Sequence, residues 1–330
     1  MSFEVVVFLV VLALAFDFMN GFHDSANSIA TIVSTGAMRP HHAVLWAAFF
    51  NFIAFLVFGV AVATTVGKGI VDPSIIDHRV VFGALCGAIL WNVITWYYGI
   101  PSSSSHALIG GLAGAAVTKG GVSTLIASGF LKTAAAIVLS PALGFLLGAG
   151  LVIAVSWTMF RVAARRADRW FRRLQYVSAA FYSLGHGGND AQKTMGIIWM
   201  LLIAAQYTGP KDPLPLWVVL SCQAAMGLGT LFGGWRIVKT MGMRITKLRP
   251  VSGFCASASG AITLFVATGL GIPVSTTHTI TGSIVGVGSV RTLSAVRWGV
   301  AGTIVWAWLF TIPCSAFLAG VAWWLGERYL

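Results

Sequence analysis

The chain has 330 residues, of which 57% are hydrophobic and only 9% charged, with a mean hydropathy of +0.86. That composition excludes a soluble globular domain and fits an all-α polytopic membrane protein. The 21 Lys and Arg outweigh 9 Asp and Glu to leave a net charge of +12. They fall in short stretches between apolar runs, where they set membrane orientation; no nucleic-acid partner is expected.

A helix rises about 1.5 Å per residue, so about 20 apolar residues cross a ~30 Å hydrocarbon core. The first apolar run opens at residue 5 and leads into Gly21-Phe22-His23-Asp24-Ser25-Ala26-Asn27. No basic stretch precedes it, so it reads as a retained span and not as a cleaved signal peptide. Runs 43–66, 80–98, 134–160, 216–238 and 300–325 are also long enough, and shorter ones lie near 101–130, 176–206 and 254–290. About ten crossings are expected, with broken helices and re-entrant helical hairpins among them. Cys86, Cys222, Cys255 and Cys314 lie within apolar runs and show no disulfide or metal spacing, so they read as packing residues.

The main hydrophilic stretch, 161–173, carries six arginines and one aspartate (Asp168) at mid-chain. The positive-inside rule makes it a cytoplasmic linker. It divides a first membrane repeat, 1–160, from a second, 174–330. The second half repeats both motifs of the first. Gly187-Gly188-Asn189-Asp190-Ala191-Gln192-Lys193 answers the Asp24 motif 166 residues on, and Gly99-Ile100-Pro101-Ser102-Ser103-Ser104-Ser105-His106 returns 172 residues on as Gly271-Ile272-Pro273-Val274-Ser275-Thr276-Thr277-His278. Loop charges swap between the halves. Arg39 beside His41 and His42 is basic, and the stretch from Lys68 to Arg79 is balanced by Asp72 and Asp77. In the second half, Lys211 is balanced by Asp212, and the loop with Arg236, Lys239, Arg244, Lys247 and Arg249 is basic. Equivalent loops on opposite sides describe inverted-topology repeats, a common build of secondary transporters.

Chemistry concentrates in the motifs. Of nine carboxylates, Asp17, Asp24 and Asp190 lie inside apolar runs, and Lys193 joins them. A charge at the bilayer centre costs about 2.5–3.5 kcal/mol even on lenient scales, so these groups should face one another, water or an ion. Asp17, Asn20, Asp24 and Asn27 share one helix face. Gly21, Gly185, Gly187 and Gly188 are expected to break the helices there, and His23, His106, His186 and His278 could carry protons. In the other motif, Gly-Ile-Pro should stop the chain and Ser103–Ser105 or Ser275–Thr277 should cap a new helix at His106 or His278. Hydroxyls clustered on a helix N-terminus suit a tetrahedral oxyanion. Gly110, Gly111, Gly114, Gly282 and Gly286 would let the half-helices pack closely. Moving a dianion inward against 100 mV costs about 4.6 kcal/mol, so the buried carboxylates read as the coupling sites of a symporter.

At these residues the chain resembles the PiT family of inorganic phosphate transporters over essentially its whole length. The marks are Asn20 to Ser28, His186 to Gly196, and the paired Gly-Ile-Pro-x-Ser-[Ser/Thr]-[Ser/Thr]-His segments. The resemblance implies a multi-pass protein of the inner or plasma membrane, a homodimer importing inorganic phosphate, free or as a metal complex, by alternating access. It implies no cofactor beyond a co-transported proton or sodium ion. Ser103, Ser104, Ser105, Ser275, Thr276 and Thr277 would hold phosphate. Asp24, Asn27, Asn189, Asp190 and Lys193 would form or border the coupling site, supported by Asn20, His106, Gln192 and His278. No resident metal, catalytic residue or enzymatic activity is expected. Sodium-coupled members carry Asn-Asp-x-x-Asn in both halves, whereas the second copy here has Lys193; that form resembles proton-coupled bacterial members. Sulfate transport on the same fold, or a divalent-metal pathway using Asp24 and Asp190, are the rival readings.

Overall fold

The computed structural model describes residues 1–290 and 292–329, apart from the side chains of Lys68 and Tyr329. Lys68, counted above among the loop charges, lies outside the described side chains. Among the described residues the chain forms twelve α-helices and no strand. The first six are α1 (Phe3–Ser34), α2 (Pro40–Phe52), α3 (Ala61–Gly69), α4 (His78–Tyr98), α5 (Ser104–Gly120) and α6 (Ala127–Thr158). The second six are α7 (Ala164–Ala204), α8 (Leu216–Phe232), α9 (Trp235–Lys239), α10 (Pro250–Gly269), α11 (Thr276–Ser289) and α12 (Trp298–Tyr329).

The order repeats element by element. A long helix (α1, α7) is followed by a bent pair, then an antiparallel hairpin (α4–α5, α10–α11), then a long helix with an internal proline (α6 with Pro141, α12 with Pro313). The runs 43–66 and 216–238, each long enough for one crossing, are the bent pairs. The chain turns by 84° between Pro40–Leu56 and Ala61–Gly67, and by 62° between Leu216–Phe232 and Trp235–Arg244. The second bend is legible in retrospect, because Gly233 takes φ +68. The segment 236–249, expected as a basic loop, is largely helical: α9 runs into a π-helical turn, Thr240–Arg244. Its Arg236 lies over the Trp96 and Tyr97 rings, at 5.3 and 5.0 Å. The arginine linker is also mostly helix, since α7 opens at Ala164.

Among the described residues, five helices are long and apolar enough to cross a bilayer, or seven spans if each bent pair counts as one. α7 falls outside that group although it has 41 residues. Its arginines and the His186–Lys193 polar motif depress its hydropathy, so the helix with the most chemistry is the one an apolar scan passes over.

The two hairpins enter from opposite ends of α1. The base of α4–α5 is tied by Lys119 to Asp77 at 2.7 Å and by Ile126 N–H to the Ile70 carbonyl at 3.0 Å. The base of α10–α11 lies at the other end. There Thr35, just past α1, donates to Gln175 at 2.7 Å, and Gln175 donates to the Pro250 carbonyl at 2.8 Å. The halves interlock: α6 packs on α10 and α11, while α12 packs on α4 and α5. One apolar core joins Leu9, Phe16, Leu85 and Leu108 to Met195 and Met226, and the other joins Ile29 and Ile32 to Met241, Leu264 and Ile284. Lipid tails are as apolar as these side chains, so close backbone approach and polar contacts must hold the helices together.

Candidate functional site

Both hairpin tips are built the same way. Gly99 and Gly271 take φ +67, a region that a Cβ disfavours, and each closes its helix with a pair of reverse bonds. Gly99 and Ile100 N–H donate to Trp96 and Thr95 carbonyls at 3.0 and 2.9 Å; Gly271 and Ile272 N–H donate to Thr268 and Ala267 at 3.0 and 2.8 Å. Ser103 and Ser275 then cap α5 and α11, each hydroxyl accepting the backbone N–H of His106 or His278 at 3.2 Å. The helices open at Ser104 and Thr276, so the remaining hydroxyls sit in the first turn beside the positive end of each helix dipole.

The carboxylates approach these tips from unbroken helices. α1 and α7 run straight through their motifs, which overturns the expected break at the glycines. Those glycines serve close approach instead: a Cβ on Gly21 would strike the Met226 carbonyl of α8, and one on Gly187 the Asn51 carbonyl of α2. No unwound carbonyls are therefore presented to an ion there, and side chains do the work.

Asp24 is 2% exposed and has three polar side chains against its carboxylate. Ser104 donates to Oδ2 at 2.6 Å, His23 Nδ1 lies 2.6 Å from Oδ1, and Thr277 donates to Oδ1 at 3.4 Å. Ser104 is equally close to Asn20 Oδ1, at 2.6 Å. Asn27 donates to Thr277 at 2.9 Å and Thr276 at 3.2 Å, reaching across to the other repeat's tip. Asp190, fully buried, accepts Thr276 at 2.9 Å and lies 3.3 Å from His186 Nε2. Lys193 replaces the cross-reach of Asn27: its ammonium donates to Ser105 of the first repeat, to Asp190 at 2.5 Å and to the Val274 carbonyl at 2.8 Å. Three donors and three acceptors leave the ammonium fully satisfied.

The expected residues thus divide into groups. Asp24, Asn27, Asp190, Lys193, Asn20, Ser104, Ser105, Thr276 and Thr277 converge where the two tips meet the middles of α1 and α7. Ser103 and Ser275 spend their hydroxyls on capping. Asn189 stays outside the cluster and props the second tip, donating to Thr268 at 3.0 Å and the Ile272 carbonyl at 3.2 Å. Gln192 faces away, accepting Val62 and Ala63 N–H at 2.9 and 3.2 Å to cap α3 across the first bend. His106 and His278 touch edge to face at 4.6 Å between centroids, and His278 stacks on Trp308 at 3.8 Å.

His23, Asp17 and Tyr182 contribute from outside the expected site list. His23 links Asp24 to the first tip through Thr95, at 3.1 Å. Asp17 accepts the Thr194 hydroxyl at 2.9 Å. Tyr182 donates to the Thr276 carbonyl at 2.9 Å and fixes the second tip. The sequence shows all three as polar groups in apolar runs; only the packing tells which reach the site. His186 also draws Asp24 and Asp190 into a set whose ligand atoms lie within 4.8 Å of one another, donor chemistry able to hold a cation although no metal site was expected.

Comparison with known proteins names the framework that carries this cluster. The sequence pattern described as "Phosphate transporter family" matches residues 20–319. The chain belongs to the phosphate transporter family. It is 61% identical over 327 residues to a protein of Rhizobium meliloti named "Probable low-affinity inorganic phosphate transporter", covering 99% of this chain and 98% of that one. A Bacillus subtilis protein of the same name is 48% identical over 321 residues, covering 97% and 96%. A solved structure named "The sodium-dependent phosphate transporter" matches with a TM-score of 0.91 at 26% identity, covering 99% of this chain and 100% of that one. These relatives are transporters, so this multi-pass phosphate transporter family member is not an enzyme.

Proposed function

We propose that this chain imports inorganic phosphate across the inner or plasma membrane by proton symport. One observation carries the reading: two hydroxyl-bearing helix N-termini meet Asp24 and Asp190, and Lys193 stands where the first repeat has Asn27. Ser104, Ser105, Thr276 and Thr277, with the free amides of α5 and α11, suit a tetrahedral oxyanion. Their hydroxyls are engaged by Asp24, Asp190, Asn27 and Lys193, and those bonds must exchange for bonds to phosphate when substrate enters. The Lys193 ammonium already neutralises Asp190, so that carboxylate has little left for sodium. Alternating access follows from rocking the two interlocked repeats about the shared site. The exposed arginines of 161–173 face the cytoplasm, and the active unit is a homodimer.

Sodium coupling is the second reading, because the solved relative is named sodium-dependent. Uptake of labelled phosphate into proteoliposomes, under separate proton and sodium gradients, decides between them. Accumulation under an acid-outside gradient without sodium is expected. Strict dependence on sodium at fixed pH would sink proton coupling, and equal uptake of sulfate would sink the choice of anion.

A further inference from the structure

Asp17 is the buried carboxylate that no cation answers. It lies on α1, seven residues before Asp24 on the same face, with 0% of its surface exposed. Its Oδ1 accepts the Thr194 hydroxyl at 2.9 Å, and its Oδ2 has no hydrogen-bond partner among the described residues. No Lys, Arg or His of the described residues forms an ion pair with it. The titratable groups that face it are Asp190 on α7 and the Cys222 thiol on α8, with Asn20 one turn along α1. None of these supplies positive charge. By contrast, Asp190 has Lys193, and Asp24 has His23, Ser104 and Thr277.

Burying an ion without a counter-charge costs several kcal/mol, whereas a neutral carboxylic acid carries its own donor and avoids most of that cost. The second repeat confirms that the position needs no charge for packing. Ser183 stands 166 residues after Asp17, and its hydroxyl is satisfied by the Ala179 carbonyl at 2.8 Å. The site is also wired to the anion cluster. Thr194, which holds Asp17, is the next residue after Lys193, which holds Ser105 of the first tip. A shift of Lys193 on phosphate entry therefore reaches Asp17 through one peptide unit of the same helix.

We propose that Asp17 is the proton carrier of this transporter, neutral in the closed state and charged when its side of the cavity opens to water. The step is a simple protonation: a hydronium ion on the entry side gives its proton to the carboxylate and leaves as water, and on the release side the Asp17 O–H bond breaks and the proton passes to water. The proposal rests on the proton-symport reading above and names the group that performs it.

Proteoliposomes holding wild type, Asp17→Asn or Asp17→Ser separate the two ideas; the serine variant copies Ser183. Wild type should accumulate phosphate under an acid-outside gradient. Both variants should lose that accumulation, settling at equilibration, while phosphate–phosphate exchange, which needs no net proton movement, persists. Infrared spectra of wild type should show the carbonyl band of a protonated carboxyl at neutral pH, lost on alkaline titration. Proton-driven accumulation by either variant overturns the assignment, as does loss of exchange in both or absence of the wild-type band. A wild type indifferent to the proton gradient overturns the symport reading itself.

Discussion

The two motif copies lie on equivalent helices and meet equivalent hairpin tips, yet they handle charge in opposite ways. In the first repeat, Asp24 is answered by hydroxyls and an imidazole, and the cross-reach to the other tip is made by the neutral amide of Asn27. In the second, Asp190 is answered by a full positive charge, and the same ammonium makes the cross-reach to Ser105. The first repeat also adds Asp17 where the second has Ser183. A duplicated site has thus become a pair in which one half holds a fixed ion pair and the other leaves its carboxylates available for exchange.

The largest effect expected from this difference is on folding. Asp190→Asn strands the Lys193 ammonium at 1% exposure with only Ser105 and the Val274 carbonyl, and breaking a buried pair from one side costs about 3–5 kcal/mol. Asp24→Asn removes a carboxylate but strands no fixed cation, so it should lose phosphate accumulation while unfolding near the wild-type temperature. Thermal unfolding in detergent beside uptake in vesicles checks both. Restoration of stability in the double variant Asp190→Asn with Lys193→Asn is the corollary. Equal stability losses for the two single variants would mean that the charge asymmetry is not real.

A middle-sized effect belongs to the coupling ion. Lys193→Asn gives the second copy the Asp-x-x-Asn spacing that the first has at Asp24 and Asn27, with Asp190 free to accept a cation. Sodium stimulation of phosphate uptake at fixed pH should then appear, by about tenfold, equivalent to ~1.4 kcal/mol. Uptake that stays independent of sodium would show that Lys193 does not occupy the place of a bound ion.

How much of this was legible before folding follows from the kind of signal each feature leaves. The tips were legible because Gly99 and Gly271, the Gly-Ile-Pro run and the Ser caps are local chemistry with local consequences. The course of α1 and α7 was not. Gly in a helix interior costs only about 1 kcal/mol, and the close packing of Gly21 on Met226 outweighs it, which no local pattern reveals. The bend before Ala61 leaves little trace either, because Gln192 supplies its helix cap from 130 residues away. The same holds for the site. Asp24, Asp190 and Lys193 were conspicuous as charges in apolar runs, but the roles of Asn189 and Gln192 depend on which neighbour each amide meets.

The smallest expected effect compares the hairpin bases. The base of α10–α11 is tied by the Arg297 N–H to the Ile245 carbonyl and by Thr246 to the Ala295 carbonyl, each at 2.9 Å and neither dependent on pH. The base of α4–α5 carries the Lys119–Asp77 pair, and Asp77 also caps α4 by accepting Val80 N–H at 2.9 Å. Partial burial pushes the Asp77 carboxyl up, but Lys119, the Val80 amide and His78 together hold it below the ordinary carboxylate range. A carboxyl lowered by folding adds stability above its unfolded range, and that stability is lost as pH falls through the lowered value. The pair is partly exposed, so Lys119→Met should cost only about 0.5 kcal/mol at neutral pH. The cost should shrink to nothing once acid has protonated Asp77 in both forms, and thermal unfolding of the two proteins across the acid range measures it. A penalty that persists in acid would assign Lys119 to its bond with the Ile75 carbonyl, at 2.7 Å, and make the two hairpin bases alike in being held by backbone contacts.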